Sequence, residues 1–284
     1  MNIQEHYLTK YVDRLIDLAF DEDVATGDLA TQYILPINNM ATARFTAKAS
    51  GVVSGLEIVK RVIDRMGDNE FTPLVNDGDE VERGQDLLII RASYNNLLSC
   101  ERIMLNFFQR MSGIATMTRS MVRRIEGTRA TLLDTRKTVP GHRVTDKLAV
   151  RHGGGANHRM GLYDMAMLKD NHIKAAGGII PAVKALKNRL SIATKIEVET
   201  TNLTQVEEAL QAGADIIMLD NMSYEMMSKA VNLVNGRAKT EASGNVNIET
   251  IADVAATGVD FISVGALTHS VKALDISMNF SIED

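Results

Sequence analysis

From Thr131 onward, short runs of β-forming residues alternate with runs of helical spacing, and this alternation limits the possible folds more than any other feature of the chain. The strand-like runs are ATLLDTRK, YDMAMLKDN, ATKIEVET, ADIIMLDN, RAKTEASG and VDFISVG. The helix-like runs are IIPAVKALKNRL, LTQVEEALQAG, YEMMSKAVNLVNG and NIETIADVAATG. Such alternation predicts βα units on a parallel sheet. About six strands fall short of a complete (β/α) barrel, so we predict an incomplete barrel.

Two segments repeat one pattern within this region. AGADIIMLDN and TGVDFISVGA lie 45 residues apart, and each combines a helix-ending glycine, a small residue, an aspartate and an apolar strand. The repetition predicts two copies of one structural unit.

Residues 1 to about 95 show a mixed pattern. It predicts a short helix over Tyr11–Phe20, a helix in KRVIDRMG that ends at Gly67, and strands in ATARFTAKASGVVSG and LLIIRA. Residues 97–126 then place apolar side chains three or four apart, which predicts an amphipathic helix with Gly113 as a candidate break.

The composition excludes several classes of protein. The 284 residues are 45% hydrophobic and 24% charged, as expected for one or two globular domains. A formal net charge of -5 argues against general binding to nucleic acids or membrane surfaces. The chain contains no apolar run of about 18 residues and no signal-peptide core, so we expect a cytoplasmic protein. Its single cysteine, Cys100, cannot form an intramolecular disulfide and is predicted to be a buried helix residue.

Polar residues interrupt the apolar runs where the predicted strands end. In a (β/α) barrel the reactive groups lie at the carboxyl ends of the strands, because the loops there converge on one mouth. The residues at these positions are Asp134, Arg136 and Lys137; Lys169, Asp170 and Asn171; Glu197 and Glu199; Asp220 and Asn221; Glu241 and Ser243; and Gly265. Their recurrence strand after strand predicts a functional site at the mouth.

Positive charge is concentrated between Asp134 and Lys174. This stretch has eight Lys or Arg residues against four Asp, and four of the six histidines, so the remainder of the chain carries about -9. We therefore expect a cationic pocket at one rim of the barrel, suited to a small anion with several charges. At about 4 Å and an effective dielectric of about 20, each opposite-charge contact contributes about 4 kcal/mol before desolvation. Arginine adds a planar fork that grips a carboxylate or phosphate.

Three smaller patterns bear on the ligand. GGGANH matches neither a Walker loop nor a dinucleotide fingerprint, and the histidine spacing does not match common zinc sites. Ser243–Asn245 and Val264–Ala266 lie at predicted strand-to-helix junctions, where backbone N–H groups favour phosphate. Glu199 and Asp220 could accept hydrogen bonds from sugar hydroxyls and stabilise a developing sugar cation. Together these patterns suggest a phosphorylated sugar that reacts with a carboxylate-bearing partner.

Several motifs in order carry a resemblance to a known family. DTRKTVPGHR, KLAVRHGGGANHRMGLYDMAMLKDNHI, IEVET, LDNM, EASGN and VGALTHS follow DEDVATGDLAT and ERIMLNFFQRMSGIAT. Over nearly the whole chain, the sequence closely resembles the quinolinate phosphoribosyltransferases, also called nicotinate-nucleotide pyrophosphorylases (carboxylating). Val139 and His142 depart from the threonine and leucine expected there, and neither departure removes a charge that the site needs.

The resemblance implies a fold, a reaction and an assembly. The fold is an N-terminal α/β open sandwich domain, residues 1–110 joined by the C-terminal segment 268–284, and an incomplete α/β barrel, residues 111–267. The reaction converts quinolinate and phosphoribosyl pyrophosphate to nicotinate mononucleotide, CO2 and pyrophosphate, and requires Mg2+. The assembly is a homodimer in which the sandwich domain of one subunit helps to close the barrel mouth of the other. Whether dimers form hexamers is left open.

The resemblance also implies roles for individual residues. It places quinolinate against Arg136, His158, Arg159 and Lys169, with Thr135 beside them and Arg102 reaching in from the neighbouring subunit. It implies that Lys137 and Lys169 face phosphoribosyl pyrophosphate. The ribose hydroxyls would bind Glu199 and Asp220, and the phosphate-binding turns would be Ser243, Gly244 and Asn245 and Val264, Gly265 and Ala266. Lys137, Lys169, Glu199 and Asp220 would be the catalytic set. Mg2+ would be held through the phosphoribosyl pyrophosphate, with no direct protein ligand assigned.

Two alternatives share the same fold. One is a paralogue with a different substrate, such as the pyrophosphorylase-like proteins associated with molybdenum transport. The other is a non-catalytic anion sensor, against which the presence of both Glu199 and Asp220 argues.

Overall fold

The computed structural model describes residues 3–34 and 39–282. The helices are α1 (Ile3–Asp23), α2 (Leu29–Ile34), α3 (Leu56–Asp64), α4 (Tyr94–Arg124), α5 (Arg143–His152), α6 (Asp170–Ala176), α7 (Ile179–Lys187), α8 (Leu203–Ala212), α9 (Tyr224–Val234), α10 (Ile251–Ala256) and α11 (Ala266–His269). The strands are β1 (Met40–Ala47), β2 (Gly51–Val52), β3 (Asn69–Pro73), β4 (Glu80–Val81), β5 (Asp86–Ser93), β6 (Thr131–Leu133), β7 (Ala166–Leu168), β8 (Ile196–Thr200), β9 (Ile216–Asp220), β10 (Lys239–Ser243), β11 (Phe261–Ser263) and β12 (Ile276–Ile282).

The chain divides into two compact units. The first comprises residues 1–119, 138–154 and 270–284, and the second comprises residues 120–137 and 155–269. The domain boundaries inferred from the sequence stay a prediction.

The first unit is built on an antiparallel sheet with strand order β12-β1-β5-β3. Along β1 the side chains of Ala41, Ala43, Phe45 and Ala47 are fully buried, at every second position, because alternate residues of a strand point to the same face. Phe45 meets Phe108 of α4 edge to face, with ring centroids 6.2 Å apart. This small sheet with its packed helices confirms the predicted N-terminal α/β fold.

Helix α4 runs without interruption through Gly113, so the predicted break is wrong. A Cβ at position 113 would overlap the carbonyl oxygen of Lys272, which identifies close backbone approach as the reason for glycine there. Cys100 on the same helix is fully buried, as predicted. Burial raises the pKa of its thiol to about 12.

The second unit contains a parallel six-stranded sheet with order β6-β11-β10-β9-β8-β7. Its edge strands, β6 and β7, follow each other in the chain. The strand order is therefore that of a barrel that stays open between β6 and β7. Four successive residues of β9, Ile216–Leu219, are buried, as expected for a strand covered on both faces. The six predicted strands and the incomplete barrel are confirmed.

The repeated pattern corresponds to two βα units with the same backbone clamp. Asp215 accepts a hydrogen bond from the backbone N–H of Ile196 through Oδ2 at 2.8 Å. Asp260 accepts one from the backbone N–H of Thr240 at 2.9 Å. In each unit the aspartate just before a strand therefore holds the beginning of the neighbouring strand. This confirms that the two segments are copies of one unit.

Helix α5 was not predicted, and it changes the interpretation of the positive charge. It carries Arg143, Lys147 and Arg151 within the first unit. Its Asp146 is buried and accepts two hydrogen bonds from Arg110, at 2.9 and 2.8 Å. The expectation that the whole cationic stretch lies at one rim of the barrel is therefore wrong, because a helix of the other unit takes up these cations.

No helix in the described ranges 3–34 and 39–282 is both long and apolar enough to cross a membrane.

Candidate active site

A cavity of about 540 Å3 lies at the carboxyl ends of the parallel strands of the second unit. Its size falls within the range of about 300 to 1,000 Å3 that is typical of small-molecule sites. Its lining includes four cations, Arg136, Lys137, Arg159 and Lys169. It also includes the acids Glu199, Asp220 and Glu241 and the apolar side chains Met167 and Met218. The cavity lining therefore combines four cations with three acids and apolar surface.

The buried carboxylate of Asp134 holds the segment that forms one wall of the cavity. It accepts hydrogen bonds from Asn157 Nδ2 at 2.6 Å and from the backbone N–H of His158 at 2.9 Å. Ala156 forms a parallel bridge with Leu133, so residues 156–158 lie along the free edge of β6. The end of the GGGANH segment is thus held against the barrel, where it carries His158 and Arg159 to the cavity.

Two contacts hold the guanidinium of Arg159 in place. Its Nη1 donates to the carbonyl oxygen of Met165 at 3.1 Å, and its Nη2 lies 3.6 Å from the sulfur of Met167. Burial lowers the pKa of Arg159, and the nearby charge of Arg136 lowers it further. Two guanidinium groups therefore repel each other at this wall, and an anion bound between them would relieve the repulsion.

Lys169 and Glu199 form an ion pair at the cavity mouth. Lys169 Nζ lies 3.1 Å from Glu199 Oε2, and the two side chains are 50% and 17% exposed. Such a half-exposed pair contributes about 1 kcal/mol or less to stability, so a ligand can separate it at little cost.

Three residues with buried side chains, His158, Glu197 and Glu241, form what we call the floor cluster. His158 Nε2 lies 3.1 Å from Glu197 Oε2 and 3.4 Å from Glu241 Oε2, although neither contact is aligned as a linear hydrogen bond. Burial disfavours the imidazolium, but the close contacts with the two acids and their negative charges outweigh it and raise the pKa of His158 to about 9. Burial also raises the pKa of Glu197. The two acids therefore favour the charged form of His158.

The turns after β9 and β10 are joined by their side chains. Asn245 Nδ2 donates to Asn221 Oδ1 at 3.2 Å, and Asn221 Nδ2 donates to Asp220 Oδ2 at 2.9 Å. Gly244 has a φ of 101°, a conformation that favours glycine. The resulting compact turn presents backbone at the cavity, as a phosphate site requires.

The end of β11 supports Lys137. Thr268 Oγ1 donates to the carbonyl oxygen of Lys137 at 2.9 Å, and a Cβ at Gly265 would come within 3.0 Å of Lys137 Cδ. Ser263 lines the cavity, and its buried Oγ has no hydrogen-bond partner among the residues that the structure describes. This hydroxyl is available to a ligand.

Comparison with protein families decides the classification. The model described as quinolinate phosphoribosyl transferase, C-terminal domain, matches residues 114–279, and its N-terminal counterpart matches residues 28–112. This chain belongs to the quinolinate phosphoribosyltransferase family.

Individual members of the quinolinate phosphoribosyltransferase family are similar over most of their length. The chloroplastic nicotinate-nucleotide pyrophosphorylase [carboxylating] of Arabidopsis thaliana is 43% identical, over 95% of this chain and 82% of that protein. The probable enzyme of the same name from Bacillus subtilis is 42% identical, over 95% and 94%. The solved nicotinate-nucleotide pyrophosphorylase from Francisella tularensis is 40% identical with a TM-score of 0.91, over 96% of each chain. NadC from Streptococcus pyogenes is 41% identical with a TM-score of 0.92, over 96% and 97%.

Most residues that the resemblance to the quinolinate phosphoribosyltransferase family singled out meet in the cavity. These are Thr135, Arg136, Lys137, His158, Arg159, Lys169, Glu199, Asp220, Ser243, Gly244 and Asn245. Gly265 instead supports Lys137 from behind, and its neighbour Val264 is buried. Arg102 lies exposed on α4, in the first unit. The individual roles of all these residues stay predictions.

The sequence patterns gave no role to five residues of the lining, Met167, Met218, Asn221, Glu241 and Ser263. Asn221 and Glu241 stood out only as polar residues near strand ends. Met167 and Met218 looked like ordinary core residues, although each lies two residues before a predicted site residue on its strand, a spacing that could have indicated the same face.

Proposed function

We propose that this protein transfers the phosphoribosyl group of phosphoribosyl pyrophosphate to quinolinate and releases CO2 and pyrophosphate, which leaves nicotinate mononucleotide. The observation that carries the proposal is the convergence of Arg136, Arg159 and Lys169 with the acids Glu199 and Asp220 on one cavity. A pyridine dicarboxylate needs cations and an activated pentose needs acceptors for its hydroxyls, and this cavity offers both.

Quinolinate would bind on the cationic wall. Arg136 and Arg159 each present a planar fork suited to a carboxylate, and Lys169 supplies a point charge beside them. Met167 and Met218 offer apolar surface in an otherwise polar lining, where a pyridine ring can lie with favourable sulfur–aromatic contacts. Arg159 is already fixed by the Met165 carbonyl, so little side-chain entropy is lost on binding.

Phosphoribosyl pyrophosphate would bind on the opposite side. Glu199 and Asp220 accept hydrogen bonds from the ribose hydroxyls, and the turn at Ser243–Asn245 receives phosphate through its backbone. Lys137 contacts the pyrophosphate. The hydrogen bond from Thr268 holds the backbone of Lys137, and the absence of a side chain at Gly265 leaves room for its side chain. The support for this arrangement is the position of each group around the cavity.

The donor groups of the cavity fit a Mg2+ ion bound mainly through the pyrophosphate. Mg2+ prefers oxygen ligands and keeps several of its waters, and the half-buried carboxylate of Asp220 can accept hydrogen bonds from such waters. The floor cluster does not fit, because it is buried and one of its three members is a histidine. When bound, Mg2+ supplies positive charge to the departing pyrophosphate.

The chemistry needs no protein nucleophile. As the bond from the ribosyl carbon to pyrophosphate breaks, that carbon gains positive charge, which Glu199 and Asp220 stabilise, and the pyridine nitrogen attacks it. The nitrogen then carries positive charge, so the C2 carboxylate leaves as CO2 and its electron pair stays on C2. The ammonium of Lys137 or Lys169 supplies the proton that completes the C2–H bond.

Assembly and location complete the proposal. We propose a homodimer in which Arg102 of one subunit adds a cation to the quinolinate site of the other. Its support is that Arg102 is exposed on α4, while the family resemblance gives it a substrate contact. A cytoplasmic location fits a chain whose single cysteine is a free thiol.

One assay tests the reaction and its rivals. The purified protein is incubated with quinolinate, phosphoribosyl pyrophosphate and Mg2+, and mass spectrometry is used to detect nicotinate mononucleotide and pyrophosphate. Replacing quinolinate by nicotinate is the control, since a transferase that does not decarboxylate would accept it. Absence of the mononucleotide with quinolinate would refute the proposal and favour a binding protein or a paralogue with another substrate.

A further inference from the structure

Ser263 is the last residue of β11, and it lines the cavity although it is only 5% exposed. Its Oγ has no hydrogen-bond partner among the residues that the structure describes. Taking a hydroxyl group out of water without a new hydrogen bond costs free energy, whereas an alanine at the same position would carry no such cost. The serine hydroxyl therefore indicates a partner from outside the chain, either a ligand or a water molecule.

The other buried serine and threonine side chains of the described residues all have a protein partner. Thr200 at the end of β8 donates to the carbonyl oxygen of Met218 at 2.8 Å, for example. The residues with such a partner are Thr31, Ser54, Ser112, Thr118, Thr145, Thr200, Thr240, Thr257 and Thr268. Within residues 3–34 and 39–282, the unpartnered hydroxyl of Ser263 is thus an exception, and it lies in the wall of the candidate site.

The strand order places Ser263 between two groups that bind phosphoribosyl pyrophosphate in the proposed function. β11 pairs in parallel with β10 as far as Ile262, so Ser243 and Ser263, which end the two strands, lie side by side. At its other edge β11 pairs with β6, from which the chain continues to Lys137. Ser243, Ser263 and Lys137 all line the cavity. The hydroxyl therefore faces the space between the turn that follows β10 and the side chain of Lys137.

The proposed quinolinate contacts lie elsewhere around the mouth. Arg159 follows the segment that runs along the free edge of β6, and Lys169 directly follows β7. Both therefore lie near the opening between β6 and β7, whereas β11 lies on the inner side of β6. The position of Ser263 favours contact with the phosphorylated sugar over contact with the pyridine diacid.

The chemistry of a hydroxyl group fits a phosphoryl oxygen at this position. A serine hydroxyl donates one hydrogen bond and adds no charge, and hydrogen bonds to charged oxygens are stronger than those between neutral groups. The turn at Ser243–Asn245 offers backbone and Lys137 offers positive charge, so a donor between them completes a surface suited to phosphate. No hydrogen bond to a described residue has to break before the hydroxyl of Ser263 can donate to a ligand.

We propose that Ser263 is a further substrate-binding residue, whose hydroxyl donates a hydrogen bond to a phosphoryl oxygen of phosphoribosyl pyrophosphate. The inference rests on the proposed function. It adds a side-chain donor on β11 to a phosphate site that otherwise consists of the turn after β10 and Lys137.

Removal of the hydroxyl tests the inference through binding. Ser263→Ala should raise the Kd for phosphoribosyl pyrophosphate about tenfold, measured by calorimetry with Mg2+ and without quinolinate, because a hydrogen bond to a charged oxygen is lost. Ser263→Cys keeps a similar volume but offers only a weak donor, so it should bind about as weakly. The Kd for quinolinate should stay within about twofold in both variants. If both variants bind phosphoribosyl pyrophosphate as tightly as the unchanged protein, the hydroxyl contacts only water and the inference is wrong.

Stability distinguishes a contact with the ligand from a contact within the fold. Ser263→Ala should leave the thermal unfolding midpoint of the ligand-free protein unchanged or higher, because the hydroxyl has no described protein partner to lose. Thr257→Val is the matched control, since it removes a buried hydroxyl that donates to the carbonyl oxygen of Val254 at 2.7 Å. It should lower the midpoint and leave the Kd for phosphoribosyl pyrophosphate unaltered. An equal loss of stability in Ser263→Ala would overturn the inference, because the hydroxyl would then serve the fold.

Two fragments of the substrate identify the phosphoryl group. Inorganic pyrophosphate, with Mg2+, and ribose 5-phosphate are titrated separately into the unchanged protein and into Ser263→Ala. We expect one fragment to bind about tenfold more weakly to the variant and the other to bind both proteins equally. If both fragments bind the two proteins equally while phosphoribosyl pyrophosphate does not, the hydroxyl contacts the ribose and the inference fails.

These binding measurements need no turnover, so they separate the inference from the proposed reaction. If the unchanged protein binds phosphoribosyl pyrophosphate but forms no nicotinate mononucleotide, the proposed reaction fails. The effect of Ser263→Ala on the Kd still decides the role of the hydroxyl.

Discussion

The amide oxygen of Asn221 fills the space that a side chain at position 244 would need. Gly244 also has a φ of 101°, so both space and backbone conformation require glycine in this turn. We expect Gly244→Ala to displace Asn221 and distort the proposed phosphate site. The KM for phosphoribosyl pyrophosphate should rise about tenfold or more, while the Kd for quinolinate in the absence of the second substrate stays within about twofold.

Gly236→Ala is the matched control for this substitution. Gly236 has a φ of 74°, but a Cβ there would meet no atom within 4 Å. Gly236→Ala therefore introduces the same kind of backbone strain without a steric clash, at a cost of about 1 kcal/mol in stability. Equal effects of the two substitutions on steady-state kinetics would show that the turn at Gly244 has no special role in binding.

Arg136→Ala should remove a principal contact of quinolinate. Removing one partner of a desolvated charge pair commonly costs about 2 kcal/mol or more, so the quinolinate Kd should rise at least about 30-fold by calorimetry. Circular dichroism should show an unchanged fold, because Arg136 lines the cavity. Arg189→Ala removes an exposed arginine of the second unit and should leave the Kd unaltered. Normal quinolinate affinity in a folded Arg136→Ala protein would exclude Arg136 from the site.

Mixing two inactive variants tests whether Arg102 acts across subunits. Arg102→Ala and Arg136→Ala should each be inactive alone. In the proposed homodimer with shared sites, a mixed dimer would have one site with both arginines, so random reassembly after mild dissociation should restore about a quarter of the original activity. The control mixture pairs Arg136→Ala with Arg159→Ala, which line the same cavity of one chain, so every site of a mixed dimer would still lack one arginine and no activity should return. If Arg102→Ala and Arg136→Ala fail to complement, Arg102 does not serve the partner's site.

Asp260 should make the protein more stable above the acid range. Burial opposes ionisation of Asp260, but hydrogen bonds from Lys239, Thr240 and Arg129 outweigh it and lower its pKa from 3.8 to about 2. A lowered folded-state pKa contributes stability that is complete above the unfolded value of 3.8 and is lost as the pH falls toward 2. Asp260→Asn should therefore unfold more easily at neutral pH and lose less stability between about pH 4 and pH 2.

The size of that effect should be modest. Lys239 and Arg129 are 59% and 55% exposed, so solvent screens their charges and a loss of about 1 to 2 kcal/mol is reasonable. Denaturant unfolding at several pH values measures it, with the exposed Glu207→Gln as control. Parallel pH profiles for Asp260→Asn and the unchanged protein would rule out this source of stability.

Strands could be predicted where the same local sequence pattern recurs along the chain. Ile216–Leu219 is a run of apolar residues between a helix-ending glycine and a polar end, and each part of that pattern has a local cause. Helix α5 was not predicted because its buried side chains include Thr145, Asp146 and Lys147, so its inward face does not look apolar. The bidentate contact from Arg110, which makes Asp146 tolerable inside, comes from 36 residues away and has no local signal.

In the candidate site too, some residues could be predicted from local sequence signals, whereas others depend on contacts between residues that are distant in sequence. Lys169, Glu199 and Asp220 could be placed from their positions at strand ends, because parallel strands bring such ends to one edge. The floor cluster could not, since the acids that contact His158 come from two distant strands. Gly113 was misinterpreted for a related reason, because the atom that excludes a side chain there belongs to Lys272.

The two aspartate clamps lie at the end of the barrel opposite the cavity. Asp215 fixes the first residue of β8, and Asp260 fixes β10 at its second residue. Since each strand is only five residues long and nearly rigid, this anchoring at the foot determines how far Glu199 and Ser243 project at the top. Slippage by a single residue would turn each of these side chains away from the cavity. The spacing of the groups that would meet the pentose is thus set about 10 Å away, near the strand beginnings.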